Sequence, residues 1–144
     1  MVVWVTGLAG AGKTTFALRL KNILLEQLTG VIHLDGDFLR KMLGQESPNS
    51  YLRWHRLELA HIYAQLARTL SEQKSIVIIS TISLFKEVHS WNRMNIKNYM
   101  EVLICPSTNV LMKRDQKQLY SKYESGLTGN IAGLDQNIEF PSNP

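Results

Sequence analysis

The sequence predicts an α/β fold, a doubly wound parallel sheet covered by helices on both faces. Two observations support this prediction: apolar, β-branched runs alternate with amphipathic stretches, and a glycine-rich turn joins the first run to the first amphipathic stretch. Strands that alternate with helices pair in parallel, because each helix returns the chain to the same end of the sheet. Polar residues that follow the strands are therefore expected to meet at one edge.

The predicted strands are continuous apolar runs, as expected for a buried parallel sheet, and they cover residues 2–5, 31–34, 76–79 and 100–104. The predicted helices have apolar residues at helical spacing, and they cover residues 15–28, 52–72, 85–97 and 108–123. Residues 44–50 include Pro48 and Asn49 and predict a loop. After about residue 125 the periodicity disappears and turn formers accumulate, so we predict a mobile, lid-like segment around residues 107–144.

Length and composition are those of one globular domain. The chain has 144 residues, of which 44% are hydrophobic, enough for a single core, so we predict one domain over residues 1–144. No apolar run reaches the ~18 residues that cross a membrane. Apolar residues start directly after Met1 and leave no room for a signal peptide. We therefore expect a cytoplasmic protein without a membrane partner.

The net charge and the cysteine content limit the kinds of ligand that this protein is expected to bind. A net charge of +4 suits a polyanionic ligand, and the scattered lysines and arginines favour a small phosphorylated molecule over a nucleic acid. Cys105 is the single cysteine, which excludes an internal disulfide and a cysteine zinc cluster; its apolar surroundings predict a small core residue. The four histidines form no credible metal pair.

The glycine-rich turn reads Gly7-Leu8-Ala9-Gly10-Ala11-Gly12-Lys13-Thr14, and its place between a strand and a helix identifies a phosphate-binding loop. Its glycines let backbone N–H groups face phosphate oxygens, and the positive end of the next helix points at them. Lys13 adds charge at the β- and γ-phosphates, and the Thr14 hydroxyl is a ligand for Mg²⁺. The sequence thus predicts the P-loop NTPase type of fold, with a nucleoside triphosphate bound by the loop and by Thr15.

A second polar group, Asp35-Gly36-Asp37, follows the second strand, and Arg40 comes one helical turn later. A carboxylate at this strand end can reach an acceptor hydroxyl beside the γ-phosphate. Either aspartate could instead cap a helix N-terminus; this is open for Asp35, whereas the acceptor site is favoured for Asp37. Three polar residues, Ser80, Thr81 and Ser83, follow the third strand and are expected at the same edge.

Together these motifs resemble those of the adenylyl-sulfate kinase family, nearly from end to end. One matching segment is Arg114-Asp115-Gln116-Lys117-Gln118-Leu119-Tyr120, which resembles the family's Arg-Asp-Pro-Lys-Gly-Leu-Tyr. The other matching segments are the loop 7–14, Leu34-Asp35-Gly36-Asp37 with Arg40, Ile82-Ser83, Met100-Glu101-Val102, and Gly133-Leu134-Asp135 with Glu139 and Pro141.

The resemblance implies that ATP phosphorylates the ribose 3′-hydroxyl of a nucleotide whose 5′ phosphate bears a second anionic group, by family default adenylyl sulfate. It implies that Asp37 orients or deprotonates the hydroxyl, and that Arg40 holds an acceptor phosphate. It places Asp35, Ile82 and Ser83 in the acceptor site, with Ser83 matching a serine credited with a phosphorylated intermediate. From the residue type alone, a Mg²⁺-shell or hydrogen-bonding role for Ser83 is equally open.

On the nucleotide side, the resemblance implies that Arg114 lies against the ATP base and that Lys117 lies near the phosphates. The family sheet also receives a fifth strand and a final helix after a segment like residues 139–144. We therefore expect further residues after Pro144, or a sheet completed by another chain, which leaves a homodimer open.

The departures from the family pattern concern the acceptor. The family's loop after the acidic motif is longer and holds a Phe, an Arg and an Asn that grip adenylyl sulfate, whereas residues 41–52 show none of them in register. Ile131 stands where a second Phe, which also belongs to the acceptor site, is expected. Stacking contributes roughly 1–3 kcal/mol per base, so the loss of two rings weakens a purine site, although Tyr51 or Trp54 could restore one face.

The acceptor is therefore open between adenylyl sulfate and cytidine diphosphoramidate, which a member of this family phosphorylates for capsule decoration. Other classes fit less well: the chain has no DxxG or NKxD motif of a GTPase, and its third strand ends in Ser80 rather than in an acidic residue typical of a mechanical ATPase. A nucleotide-binding regulator without turnover remains an alternative because the acceptor region is altered, whereas Asp37 and Arg40 favour a kinase.

Overall fold

The computed structural model describes residues 1–115 and 118–144. At its centre is a four-stranded sheet with the strand order β2-β3-β1-β4. The strands are β1 (Val2–Thr6), β2 (Val31–Asp35), β3 (Ile76–Thr81) and β4 (Tyr99–Leu103). Every pairing is parallel, so the carboxyl ends of all four strands lie along one edge. The sheet therefore has the topology that the alternating pattern predicted.

Helices connect the strands and cover the sheet. They are α1 (Lys13–Leu25), α2 (Gly36–Met42), α3 (Arg53–Glu72), α4 (Lys86–Asn95), α5 (Thr108–Arg114) and α6 (Leu119–Glu124), with a short 3₁₀ helix at Pro48–Tyr51. The predicted doubly wound α/β fold is confirmed. Within the described residues, no helix has both the length and the apolarity to cross a membrane.

The core lies on both faces of β1, which is buried along its whole length. On one face, Trp4 packs with Leu59 of α3 and Val88 of α4. On the other face, Val5 packs with Ala17 of α1. Because helices remove both faces of this strand from water, its sequence is apolar at successive positions instead of alternating.

Two helical regions differ from the prediction. The structure has a helix, α2, directly after β2, where the sequence predicted only an acidic turn, because Asp35 caps its N-terminus with a side-chain carboxylate. The stretch predicted as one helix over residues 108–123 contains two helices, α5 and α6. Asp115 and Gln118, which lie between them, have φ angles of 32° and 56°, and such angles do not continue an α-helix.

Cys105 is exposed, so its predicted place in the core is wrong. The apolar run that suggested burial ends as a strand at Leu103, and Cys105 lies in the following irregular segment. Pro106 fixes its own φ and disfavours helical backbone at Cys105, so the chain leaves the sheet there before α5 begins.

Candidate functional site

A cleft of about 650 Å³ lies at the carboxyl edge of the sheet. The loop before α1, the start of α2, the 3₁₀ helix and the segment after α6 all contribute to its walls. The sequence-predicted residues that line it are Ala9, Gly10, Gly12, Lys13, Thr14, Thr15, Asp35, Asp37, Arg40, Ile82 and Ile131. The structure therefore brings the phosphate loop, the acidic motif and part of the C-terminal segment to one cavity.

The loop between β1 and α1 is shaped by its glycines and by its own backbone. Gly7 has a φ of +147°, and a Cβ there would stand 2.3 Å from the carbonyl oxygen of Ile104, so this position requires glycine. Lys13 Nζ donates to the carbonyl oxygen of Leu8 at 2.7 Å. Lys13 is also the first residue of α1, whose N-terminal N–H groups and dipole favour an anion in the cleft.

Side chains from the C-terminal part of the chain support this loop from outside. Arg114 Nη1 donates to the carbonyl oxygens of Gly10 and Ala11, at 3.0 and 3.2 Å. The Tyr120 hydroxyl donates to the carbonyl oxygen of Ala9 at 3.1 Å. Arg114 is thus held beside the phosphate loop, and its predicted contact with the ATP base stays a prediction.

Asp35 joins the phosphate loop, β3 and α2. Its Oδ1 accepts the backbone N–H groups of Asp37 and Phe38, at 3.0 and 3.3 Å. Its Oδ2 accepts the hydroxyl protons of Thr14 and Ser80, at 2.7 and 3.0 Å. Burial raises the pKa of the Asp35 carboxyl, but these hydrogen bonds outweigh burial and hold the pKa below its usual value. The carboxylate is therefore ionised at neutral pH and orients the Thr14 hydroxyl.

The two aspartates of the acidic motif occupy different places. Asp35 caps α2, which is one of the two roles that the sequence left open for it, and it also lines the cleft. Because its oxygens already accept four hydrogen bonds, a contact with an acceptor hydroxyl would cost one of them. Asp37 lies in the first turn of α2 and lines the cleft. Its action on an acceptor hydroxyl stays a prediction, as does substrate contact by Asp35.

Two arginines and a tyrosine form a cationic wall of the cleft. The Cζ atoms of Arg40 and Arg56 lie 4.6 and 5.4 Å from the centre of the Tyr51 ring. Arg40 donates to the carbonyl oxygen of Ser50 at 2.8 Å, and Arg56 donates to that of Asn130 at 2.9 Å. Burial, and then the nearby Arg40 cation, lower the pKa of Arg56, but a guanidinium remains charged at neutral pH. This wall therefore suits an anionic ligand.

Sequence reasoning did not find Arg56, but it named Tyr51 and Trp54 as rings that could restore one face of the acceptor site. The 3₁₀ helix ends at Tyr51 and brings it to the cleft, and the first turn of α3 brings Arg56 there. One signal was available, because a cation in the first turn of a helix opposes the helix dipole and needs another reason to be there. Trp54, the other proposed ring, is 61% exposed and packs edge-on against His55.

Ile131 is buried and lines the same cleft. Its loop is held by the Asp135 carboxylate, which accepts the backbone N–H groups of Asn130 and Ile131. Gln136 Nε2 donates to the carbonyl oxygen of Tyr51 at 2.6 Å and ties this loop to the cationic wall. An aromatic ring and an aliphatic side chain therefore border one cavity.

Of the predicted site residues that the structure describes, five do not line the main cleft: Gly7, Leu8, Ala11, Ser83 and Arg114. Ser83 is buried, exchanges a hydrogen bond with Thr81 Oγ1 at 3.0 Å, and borders a side pocket of about 40 Å³ that also contacts Arg40 and Arg56. This placement favours the hydrogen-bonding role of Ser83, and its covalent role stays a prediction. Lys117 lies outside the described residues.

A phosphate loop at the carboxyl edge of a parallel sheet, with an acidic helix start and a cationic wall in the same cleft, defines a P-loop phosphotransferase. The family model for adenylylsulphate kinase matches residues 1–144, and the chain belongs to that family. It is therefore a phosphotransferase that acts on a hydroxyl group, and turnover is favoured over the regulator alternative.

Among known relatives, the chain is 39% identical over 140 residues to the cytidine diphosphoramidate kinase of Campylobacter jejuni, covering 97% of this chain and 81% of that protein. It is 38% identical over 145 residues to the adenylyl-sulfate kinase of Pseudomonas aeruginosa, covering 99% and 73%. The solved structure of the Mycobacterium tuberculosis APS kinase CysC with AMPPNP and APS superposes with a TM-score of 0.86 at 29% identity, covering 99% and 84%.

These similarities indicate a nucleotide kinase that binds ATP. The family and the AMPPNP complex imply ATP binding by this chain. The named relatives act on different nucleotides, so they establish a nucleotide kinase without resolving its acceptor.

Proposed function

We propose that this chain transfers the γ-phosphate of ATP to the ribose 3′-hydroxyl of cytidine diphosphoramidate. The observation that supports this acceptor is that one aromatic residue, Tyr51, and one aliphatic residue, Ile131, line the cleft, whereas the family pattern has two aromatic residues. A purine presents two fused rings and gains most from an aromatic side chain on each face, at roughly 1–3 kcal/mol per stacked base. A pyrimidine has a smaller face and loses less when one ring is replaced by an aliphatic side chain.

The cationic wall supports an acceptor with two linked anionic groups. Arg40 and Arg56 present two guanidinium groups in the same cleft as Asp37. Guanidinium forks match phosphate oxygens in pairs, so two of them can hold a diphosphate-like tail at both ends. In this arrangement the tail is fixed by the arginines, and the ribose hydroxyl is directed toward Asp37.

The remaining residues serve the transfer itself. Asp37 orients the 3′-hydroxyl and accepts its proton, while Lys13 places positive charge at the β- and γ-phosphates. Thr14 fits a Mg²⁺ site, because its proton points to Asp35 and its hydroxyl oxygen is the hard donor that this ion prefers. Bound Mg²⁺ would neutralise charge on the transferring phosphoryl group.

The segment around residues 107–144 is proposed as the lid of a single kinase domain. Its described residues include Leu127 to Ile131, which line the cleft, and Arg114, which supports the phosphate loop. A lid in this place would exclude water once both substrates are bound. A cytoplasmic location is part of the same proposal, since ATP is the phosphate donor. A homodimer is also part of it, since β4 is an edge strand of the sheet and could pair with a second copy of the chain.

Adenylyl sulfate is the second candidate acceptor. It is favoured by the family match over residues 1–144 and by the presence of one aromatic face, Tyr51, in the cleft. The two candidates differ in base and in the group on the 5′ phosphate, so a direct comparison separates them.

The deciding experiment measures ADP release with ATP and each acceptor: cytidine diphosphoramidate, CDP and adenylyl sulfate. We expect kcat/KM for cytidine diphosphoramidate to exceed that for adenylyl sulfate by about 10-fold or more, the value of one stacking contact. The reverse preference would establish the second candidate instead.

A variant tests the structural reason for the preference. Ile131→Phe adds a second ring to the cleft and should shift the ratio of kcat/KM values toward adenylyl sulfate by about 5-fold or more, in line with a stacking energy of ~1 kcal/mol. Ile62→Phe adds the same ring on an exposed position of α3 and is the matched control. Equal ratios in the two variants would contradict the role given to position 131.

A further inference from the structure

A chain of hydrogen bonds extends from the Mg²⁺ side of the cleft to a histidine on β2. Thr14 Oγ1 and Ser80 Oγ both donate to Asp35 Oδ2, at 2.7 and 3.0 Å. Ser80 Oγ also lies 2.9 Å from His33 Nε2. His33, Asp35 and Ser80 come from the neighbouring strands β2 and β3, and Thr14 comes from α1. Four side chains from three elements are therefore connected.

The number of protons available determines which group donates in each hydrogen bond of this series. An ionised carboxylate only accepts, so the single hydroxyl protons of Thr14 and Ser80 both point to Asp35. With its own proton used, Ser80 Oγ can take part in the contact with His33 only as an acceptor. His33 Nε2 must therefore bear a proton, a condition that both the Nε2–H tautomer and the imidazolium satisfy.

We propose that His33 is a positioning residue for the Thr14 hydroxyl. Its Nε2–H holds Ser80 in the rotamer that donates to Asp35 Oδ2, and the Asp35 carboxylate fixed in this way accepts the Thr14 proton on the same oxygen. This leaves the lone pairs of Thr14 Oγ1 for the metal and phosphate side of the cleft. The inference rests on the Mg²⁺ site of the proposed function and is independent of the acceptor nucleotide.

The first test uses the native protein. Nitrogen-15 NMR of the imidazole, assigned by comparison with His33→Gln, reports which ring nitrogen carries the proton. We expect a protonated Nε2, alone or together with Nδ1. A neutral ring with its proton on Nδ1 alone would overturn the proposal, whatever the variants do.

The second test compares two substitutions by calorimetry of Mg²⁺ and ATP binding. His33→Leu removes the donor and keeps an apolar volume, and it should weaken Mg·ATP binding and raise the half-saturating Mg²⁺ concentration by about 3- to 10-fold, the effect of one hydrogen bond. His33→Gln provides an amide N–H at a similar reach and should restore most of the loss. KM for the acceptor should stay unchanged in both variants.

Controls separate this inference from the proposed function and from general damage. His61 of α3 packs edge-on against Trp91 of α4 and is the matched histidine, so His61→Leu should bind Mg·ATP as the native protein does. In a Ser80→Ala background, His33→Leu should have no further effect, because the connection is already broken. Equal losses for His33→Leu and His33→Gln, or additive losses with Ser80→Ala, would refute the positioning role. Native protein that binds ATP equally with and without Mg²⁺ would refute the Mg²⁺ site instead.

Discussion

Asp35 and Asp37 are separated by one glycine, yet the structure uses them differently. Asp35 ends β2 and caps α2, so its oxygens accept backbone and hydroxyl protons from three elements. Asp37 is the second residue of α2 and is not its capping residue, although both aspartates line the cleft. Loss of the capping carboxylate should lower stability, whereas loss of a base in the acceptor site should lower kcat. Substitutions at the two positions therefore distinguish the two roles.

Asp37→Asn should leave ATP affinity nearly unchanged and lower kcat by about 10²-fold or more, because an amide cannot accept the acceptor's proton. Steady-state kinetics with calorimetry of ATP binding checks this. Asp35→Asn is the contrasting variant: it replaces the oxygen that accepts the Thr14 and Ser80 hydroxyl protons with an amide donor, so we expect a loss of stability of about 1 kcal/mol and weaker ATP binding. If kcat of Asp37→Asn equals that of the native protein, Asp37 is not the base.

Lys13→Ala should reduce kcat by at least about 10²-fold, because the charge at the β- and γ-phosphates is removed from the transition state. The Lys13 ammonium also donates to the carbonyl oxygen of Leu8, so the melting temperature is measured on the same samples to separate a loss of turnover from unfolding. Lys21→Ala on the same helix is the control and should retain activity. Turnover at the native rate by Lys13→Ala would refute the phosphate-loop assignment.

At the scale of elements, the phosphate loop depends on close approach between backbones. The loop leaves β1 at Gly7 and passes against the segment that follows β4, where the carbonyl oxygen of Ile104 would lie 2.3 Å from a Cβ at position 7. Another backbone contact, from Ile104 N to the carbonyl oxygen of Thr6 at 2.8 Å, holds the two segments together. The loop is thus shaped jointly by two strand ends.

Gly7→Ala should destabilise the fold by more than the roughly 1–2 kcal/mol of a strained backbone, because its Cβ also meets a carbonyl oxygen. Gly30→Ala is the matched control: Gly30 has a φ of +74°, but no atom lies within 4 Å of a Cβ there. Denaturant unfolding and ATP titration should show a larger loss of stability for Gly7→Ala, and loss of ATP binding for that variant alone. Equal effects would refute the close approach.

At the scale of the whole molecule, a cluster of polar side chains centred on Glu101 of β4 connects the sheet to α4 and to the C-terminal segment. The buried Glu101 carboxylate contacts His89 and Arg93 of α4 and accepts the Tyr99 hydroxyl proton at 2.9 Å. Arg93 also donates to the carbonyl oxygen of Asn143 at 2.9 Å. Burial raises the pKa of Glu101, but His89, Arg93 and Tyr99 outweigh burial, so the pKa lies below its usual value.

This cluster should make the protein sensitive to acid. Because the folded pKa of Glu101 is below the unfolded value of ~4.3, its contribution to stability is complete above that pH and is lost as the pH falls toward the folded pKa. Glu101→Gln should lower the free energy of unfolding at pH 7 by about 1.5–3 kcal/mol, as for hydrogen bonds to charged groups. Denaturant unfolding between pH 7 and pH 3 measures both effects, and a native-like acid slope in Glu101→Gln would contradict the assignment.

The sequence by itself determined the fold class and the phosphate side of the cleft. Both follow from neighbours in the chain: apolar runs form buried strands, glycines permit the loop, and Lys13 and Thr14 follow within the same turn. Each of these patterns lies within a short stretch of sequence, so it can be recognised without knowing how the rest of the chain folds.

Only the tertiary structure decided the acceptor wall and the support behind Thr14. Arg56 meets the carbonyl oxygen of Asn130 across 74 residues, and His33 meets Ser80 across 47. Such contacts depend on how β2, β3, α3 and the C-terminal segment come together, and no periodicity along the chain records them. The role of Asp35 as the cap of α2 likewise appeared only in the structure, where the same carboxylate also accepts the Thr14 and Ser80 hydroxyl protons.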